Sequence, residues 1–430
     1  MWHKRISLFA HAVALMILVP AVSWAGSEKV LYTFTGGADG GTPQGGVIFD
    51  GSGSLYGTAE DGAISGCFAG CGTVFQLAPV SGGEWTYNVL YSFPGGAGGG
   101  GPAAGLLFDP SANLYGTAPD EGTGTGCGTY GCGVAFELTP GSSGWTGTVL
   151  YDFTAATGSR PEFGLILDKQ GNLYGTNPSG GGPWGTVFEL LKSKTGGWHE
   201  KLLHVFAGNP DGAEPGAPLV SDAVGNLYGT ASSGGTHNGG TAFELSAGGG
   251  QYRTIYNFGC KLTGGKCKPG DGRKPFGALI FDKKGNLYGT TTSGGGYRAG
   301  TVFELSMSGG KWHERLLYSF KGGSDGKEPS SAPIFDASGN LYGITGFGGD
   351  TNCNLGNGCG TVFKLTPPVG GGSWKKKILY VFAGGSDGLA PSGGLVMDAT
   401  GNLYGTTAFG GQACPEWGSA GCGVVFEITP

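Results

Sequence analysis

Short apolar runs, each closed by glycine, proline, asparagine or aspartate, recur along almost the whole chain. Around Leu287 four can be read in order. The first is Gly277-Ala278-Leu279-Ile280-Phe281-Asp282 and the second Asn286-Leu287-Tyr288-Gly289-Thr290. The third is Thr301-Val302-Phe303-Glu304-Leu305, and the fourth runs from Trp312 to Leu316-Leu317-Tyr318-Ser319-Phe320. Runs this short, rich in β-branched and aromatic residues and bounded by turn residues, read as strands. The Leu-Tyr-Gly of the second run recurs at Leu55, Leu114, Leu173, Leu227, Leu287, Leu341 and Leu403, at intervals of 59, 59, 54, 60, 54 and 62 residues. Seven repeats of four strands predict an all-β fold, a seven-bladed β-propeller of four-stranded antiparallel blades.

Spacing separates rigid parts from variable ones. In every unit a proline precedes the aspartate ending the first run by seven residues, from Pro43/Asp50 to Pro391/Asp398, and that aspartate precedes the tyrosine of the second run by six. The first and second strands are therefore joined by a tight hairpin. Between the tyrosine of the second run and the phenylalanine of the third lie intervals of 14 to 22 residues, longest in units two, six and seven. The link from the fourth run to the next proline is 8 or 9 residues, except for 17 between Phe258 and Pro275. Both variable links emerge on the same face of an up-and-down blade.

The repeat is out of phase with the chain. Val30-Leu31-Tyr32-Thr33-Phe34 is a fourth run ahead of any first run, and Val424-Val425-Phe426-Glu427-Ile428 is a third run with no fourth after it. The spare strand is expected to complete the last blade and close the ring, which removes open sheet edges. The second and third strands should be covered on both faces, with a glycine such as Gly289 admitting close approach of the neighbouring sheet. Trp85, Trp145, Trp198, Trp312 and Trp374 share a face with the later aromatics of their fourth strands and are expected between blades.

Ahead of the repeats, Lys4 and Arg5, an apolar run to Val19 and Ser23-Trp24-Ala25 read as a signal peptide over residues 1–25, leaving residues 26–430 as one propeller domain. The apolar run is short for a membrane span, and no cysteine follows it to carry a lipid. Losing Lys4 and Arg5 with the leader takes the net charge of −6 to −8. Without a basic cluster, nucleic acid is not an expected partner. Lys375-Lys376-Lys377 is expected to be a solvated outer edge.

Ten cysteines fall in five close pairs, Cys67/Cys71, Cys127/Cys132, Cys260/Cys267, Cys353/Cys359 and Cys414/Cys422. Four pairs lie in lengthened links between second and third strands, and the fifth in the lengthened link before Pro275. In an exported chain such pairs predict disulfides stapling inserted loops. No metal is expected, because the pairs sit in separate blades with no matching histidine.

Catalytic motifs are missing from the sequence: it has no Gly-x-Ser-x-Gly, His-Glu-x-x-His or phosphate loop. His199, His204, His237 and His313 have no ligand spacing. First strands such as Gly46-Val47-Ile48-Phe49 are small and apolar, so no catalytic residue and no cofactor is expected in the channel. The seven aspartates from Asp50 to Asp398 read as turn caps, with a cation ring as the alternative. Asp39, Asp211, Asp271, Asp325 and Asp387, in Asp-Gly turns on the variable face, are candidate binding residues.

The repeated Gly-Asn-Leu-Tyr-Gly-Thr, Gly-Thr-Val-Phe-Glu-Leu and Leu-Tyr-x-Phe-x-Gly-Gly-x-Asp-Gly resemble the GloVer (Gloeobacter/Verrucomicrobia) tandem-repeat family over residues 30–430. The resemblance implies a bacterial exported protein, often surface-anchored, and supplies no catalytic residues. The chain ends at Pro430 with no sorting segment, so release or periplasmic residence is expected. The sequence thus points to a secreted, monomeric, non-enzymatic propeller recognising a protein or glycan through disulfide-braced loops on one face. The alternative is a carbohydrate-active lyase or hydrolase using Asp120, Glu121, Glu162 or the Asp-Gly turns.

Overall fold

A computed structural model describes residues 26–430 apart from 64, 65, 68, 195, 260, 261, 264, 265, 268, 269, 354, 355, 416 and 417. The expected leader lies outside the described residues. Each repeat folds as one antiparallel sheet in chain order from the channel outward; in blade 1 the strands are Ile48–Phe49, Leu55–Ala59, Thr73–Pro79 and Trp85–Ser92. Seven such blades form the ring. In blades 4 and 5 the first strand is split in two, and between them Leu262–Thr263 pairs with Lys266–Cys267 as a small separate hairpin.

The spare N-terminal strand closes the ring as expected. Ser27–Thr33 is the fourth strand of blade 7, antiparallel to Val424–Thr429, with Ser27 opposite Thr429 and Thr33 opposite Val424. Between third and fourth strands the register slips at the same point in every blade, at Val74/Phe75 in blade 1 and Val30/Tyr32 in the closing strand. A bulge there adds twist and lets the outer strand follow the blade's curvature.

Apolar packing lies mainly between blades. Leu55, Phe75 and Val47 of blade 1 pack with Tyr404, Val425 and Cys422 of blade 7, and Phe34 is fully buried among them. Burying a phenylalanine contributes about 2–3 kcal/mol, and Phe93, Phe153, Phe206, Phe258, Phe320 and Phe382 repeat the arrangement. The tryptophans reach the preceding blade: Trp85 meets Tyr404, and Trp145 meets Tyr56.

Two expectations need correction. The glycine inside each second strand is covered by its own blade rather than by the next sheet. A β-carbon on Gly57 would lie 2.6 Å from Cζ of Phe75, its cross-strand partner. The phenyl ring fills the space that a side chain would take. The lysine run is not uniformly solvated either. Lys375 and Lys377 are exposed, but the alternation of the strand turns Lys376 inward. Its side chain is 4% exposed, 3.0 Å from Asp325 Oδ1 and 4.7 Å from the Phe320 ring centre.

The threonine of Leu-Tyr-Gly-Thr ties blade to blade. Thr58 donates to the Ala104 carbonyl, Thr117 to Phe163, Thr176 to Ala217, Thr230 to Gly277, Thr290 to Ser331 and Thr406 to Gly45. At the junction of blades 6 and 7 the position is Ile344, which has no hydroxyl to donate.

Candidate functional site

The residue before each repeat proline stands at the channel rim in the left-handed region: Thr42 at φ 52°, Gly101 at 65°, Arg160 at 57°, Glu214 at 55°, Lys274 at 56°, Glu328 at 59° and Ala390 at 56°. For a residue with a β-carbon this conformation costs about 1–2 kcal/mol. It is held because the backbone N–H reaches a carbonyl of the preceding blade. Thr42 donates to Cys422 at 2.7 Å, Gly101 to Cys71 at 3.0 Å, Arg160 to Cys132 at 2.9 Å and Ala390 to Cys359 at 3.1 Å. In these four the acceptor is the second cysteine of a disulfide, Cys67–Cys71, Cys127–Cys132, Cys353–Cys359 or Cys414–Cys422. The bond does not depend on a bridge, since Glu214 donates to Trp184 at 2.9 Å, Lys274 to Gly239 at 2.8 Å and Glu328 to Ala299 at 2.9 Å in the same way. Cys260 lies outside the described residues, and the expected pairing with Cys267 does too.

A cleft occupies the mouth of the channel on the face of the variable loops. It consists of two adjoining cavities of about 460 and 400 Å³ that share Gln44, Glu60 and Arg160. Glu60 and Asp61 follow the second strand of blade 1, and Asp120 and Glu121 that of blade 2 (Leu114–Ala118). Each pair is fixed because the sheet continues past the named strand, Asp61 bridging Gly41 and Asp120 bridging Gly100. Glu162 and Phe163 follow the rim proline of blade 3, and Phe276 that of blade 5. Phe163 and Phe276 meet edge to face with ring centres 5.7 Å apart. Small residues complete the wall, among them Gly46, Gly105, Gly164, Gly277 and Ser331.

Arg160 organises the acidic side. Its Nη1 lies 3.2 Å from Asp120 Oδ1, and its Nε donates to Glu162 Oε1 at 3.2 Å. The contact with Asp120 is an ion pair without hydrogen-bond alignment, so Oδ1 is buried with no hydrogen-bond partner. Burial pushes the Glu60 carboxyl up to about 7, helped by Asp61, Asp120 and Glu162 and opposed by a hydrogen bond from Gln44. Burial also raises Asp120, with Glu162, Glu121 and Asp61 adding to the rise and Arg160 opposing it. Two buried hydroxyls on the cleft walls, Thr42 Oγ1 and Ser331 Oγ, have no partner. Among the described residues no three histidine, cysteine or carboxylate side chains are grouped to hold a metal ion.

The Asp-Gly aspartates lie apart from one another, each bonded to the fourth strand that leads into its turn, and Asp325 also to Lys376 of the next blade. Asp39 accepts from Tyr32 Oη and Thr35 N, both at 2.9 Å. Asp211 accepts from Ala207 N at 2.9 Å and meets His204 Nε2 at 3.0 Å, and its carboxyl is held low by His204 and Ala207 against the effect of burial. Asp271 takes the Tyr256 hydroxyl at 3.3 Å and is raised to about 6 by burial. Asp325 accepts from Tyr318 and Lys321 N at 2.8 Å, and Asp387 from Tyr380 at 3.0 Å and Ala383 N at 2.8 Å. The repeat-end aspartates cap their hairpins on the other face. Asp282 Oδ1 accepts from Lys284 N and Asn286 N, and Oδ2 from Asn286 Nδ2 and Tyr288 Oη, which lowers its pKa although burial opposes them.

Of the residues singled out in the sequence, Asp120, Glu121 and Glu162 are brought together. Gln44, Glu60, Asp61, Arg160 and the phenylalanine pair were not singled out. A usable signal was present. The residues flanking an invariantly spaced proline change from Thr to Gly, Arg, Glu, Lys and Ala between units, and a fixed backbone with changing side chains is what a recognition rim needs.

A family model described as the Gloeobacter/Verrucomicrobia repeat matches residues 122–270 and 265–430. No curated protein matches the sequence. Among solved structures, a protein from Thermus thermophilus described as an oxidoreductase (glucose dehydrogenase) is 16% identical, with a TM-score of 0.45 over 76% of this chain and 96% of that one. A likeness that remote carries no argument about chemistry. The family match spans more than half of the chain and coincides with the propeller blades, and the chain belongs to the Gloeobacter/Verrucomicrobia repeat family.

Proposed function

We propose that the chain is a binding propeller that acts outside the cytoplasm and takes a glycan into the mouth of its channel. The observation that carries this is the convergence of Glu60, Asp61, Asp120, Glu121, Arg160 and Glu162 with the Phe163–Phe276 pair at one cleft. Carboxylates accept from sugar hydroxyls, the guanidinium donates to them, and phenyl rings lie against the apolar C–H faces of a pyranose. The combined cavities are in the range of small-molecule sites. Four disulfides suit an extracytoplasmic protein, and no helix among the described residues is long and apolar enough to cross a membrane.

One observation favours a second reading, glycoside hydrolysis. Glu60, with its pKa raised to about 7, stands among other carboxylates, and a protonated acid beside an ionised partner is what that chemistry requires. The test is a glycan array with residues 26–430, repeated after shortening the loops following Ala59 and Ala118 to the length found in blade 4. Binding that disappears on shortening supports the proposal, and binding unchanged by it overturns the cleft as the site. Release of reducing ends from a bound glycan, lost in Glu60→Gln, would decide for hydrolysis.

A further inference from the structure

The cleft carries more negative charge than a neutral sugar would call for. Five carboxyl groups line it, Glu60 among them raised to about 7 and so largely protonated at about pH 6, and Arg160 is the one cation among its described lining residues. That guanidinium is divided between Asp120 and Glu162, each 3.2 Å away. The charge is also spread out. No three of these side chains are grouped closely enough to chelate a single metal ion, although together they act on Glu60. A point cation therefore fits poorly, and a ligand with positive charge distributed over an extended body fits better.

The remaining features narrow the class. Phe276 is 41% exposed inside the channel mouth. It lies over Gly216, where a β-carbon would come within 3.3 Å of the ring. An exposed ring set against backbone offers a flat surface to a pyranose, and its face also attracts ammonium groups. Ser331 and Thr42 are 7% and 2% exposed, and their hydroxyl oxygens on the cleft walls have no partner. Buried polar groups are rarely left unsatisfied, and here both border the space a ligand would fill. Each oxygen is itself shielded in the unliganded chain, so a sugar hydroxyl or amine would reach it only after a rotation of the serine or threonine side chain.

We infer that the cleft recognises a glycan of free amino sugars, a chain of hexosamine units with unacetylated amines. The inference rests on the proposed glycan-binding role and assigns its ligand class. Each ammonium would meet a carboxylate of blades 1 to 3, while a ring lies against Phe276.

Isothermal titration of residues 26–430 tests it, at about pH 6, where amino groups are largely protonated. The probes are a glucosamine hexamer, the N-acetylglucosamine hexamer, cellohexaose and hexalysine. The glucosamine hexamer is expected to bind at least about tenfold more tightly than the other three, with affinity falling as salt rises. Glu162→Gln and Phe276→Ala should each weaken it about five- to tenfold without lowering the melting temperature. Because Phe276 is already exposed, that variant keeps the test valid if Glu162→Gln does not fold. Equal or tighter binding of either neutral hexamer overturns the amine assignment and leaves the glycan reading standing. Hexalysine matching the glucosamine hexamer overturns the sugar assignment in favour of a basic peptide. If no hexamer binds, the inference and the glycan reading both fail.

Discussion

The closing strand makes a quantitative demand on one residue. Phe34 is fully buried, with its ring centre 5.3 Å from Phe75 and 5.8 Å from Tyr87 of blade 1. Phe93, at the equivalent point of blade 1's own fourth strand, is equally buried and lies 5.0 Å from Phe136 of blade 2. Phe→Ala at such a site costs about 3–5 kcal/mol. Phe34 has one more ring neighbour, Tyr87, where blade 2 has Gly147, and the two also differ in how they are held. Phe93 is in the middle of the chain, whereas Phe34 depends on the pairing of Ser27–Thr33 with Val424–Thr429. If that pairing forms in solution, Phe34→Ala should shift the urea transition of residues 26–430, followed by tryptophan fluorescence, by at least as much as Phe93→Ala. If the N-terminal segment were frayed, its opening free energy would be near zero and Phe34 would contribute little. A loss below about 1 kcal/mol for Phe34→Ala beside a full loss for Phe93→Ala would refute closure.

Other expectations follow from individual contacts. Thr176→Val removes the bond to the Ala217 carbonyl at 3.2 Å and should cost about 1 kcal/mol in urea unfolding; a neutral result would deny the threonine an inter-blade role. Lys376→Met leaves Asp325 without its buried cation and should cost about 2–3 kcal/mol, whereas Lys375→Met and Lys377→Met should stay within about 0.5 kcal/mol; equal effects at all three would contradict the inward turn of Lys376. Folding raises Glu60 from 4.5 to about 7, so the native state holds this proton more tightly than the unfolded chain. That contribution is complete below about pH 4.5 and lost as pH rises through about 7. Glu60→Gln should therefore narrow the stability gap between pH 5 and pH 8 by about 1–3 kcal/mol, and an unchanged pH profile would show that Glu60 is not perturbed. Reduction of the disulfides should leave the far-ultraviolet circular dichroism intact while speeding proteolysis near residues 61–72 and 122–133; loss of the β signal would give the bridges a larger part in the ring than their short loops imply.

Almost all of the scaffold was readable before the structure, because a propeller repeats each instruction seven times. The distance from Pro43 to Asp50 means little once, but its recurrence to Pro391 and Asp398 identifies a hairpin. The phase of the repeat likewise indicated which strand would close the ring. Side-chain direction was less accessible. Lys376 looked solvated because its neighbours are lysines, although alternation along the strand puts it, unlike Lys375 and Lys377, on the face that turns toward Phe320. Gly57 revealed that something comes close, but not that the ring belongs to Phe75 across the same sheet. The cleft was the hardest part to foresee. Glu60, Arg160 and Phe276 are separated by whole blades and meet only because the ring bends the chain back on itself, and one sequence contains no measure of that curvature. The Asp-Gly aspartates attracted attention through their regularity, and the same regularity reflects a shared duty at each turn.

The pairing of Ser27 with Thr429 has a bearing on how the molecule can be held. Both ends of the ring emerge where the other blades make their third-to-fourth turns, such as the one closed by Val80 N and the Glu84 carbonyl. The mouth with Glu60 and Arg160 opens on the other side. A tether, tag or fused domain at either end therefore grips the disc from behind and leaves the cleft facing outward. Two rings joined end to end through a short linker would sit back to back with their mouths pointing apart, able to engage two separate strands of a polymer at once.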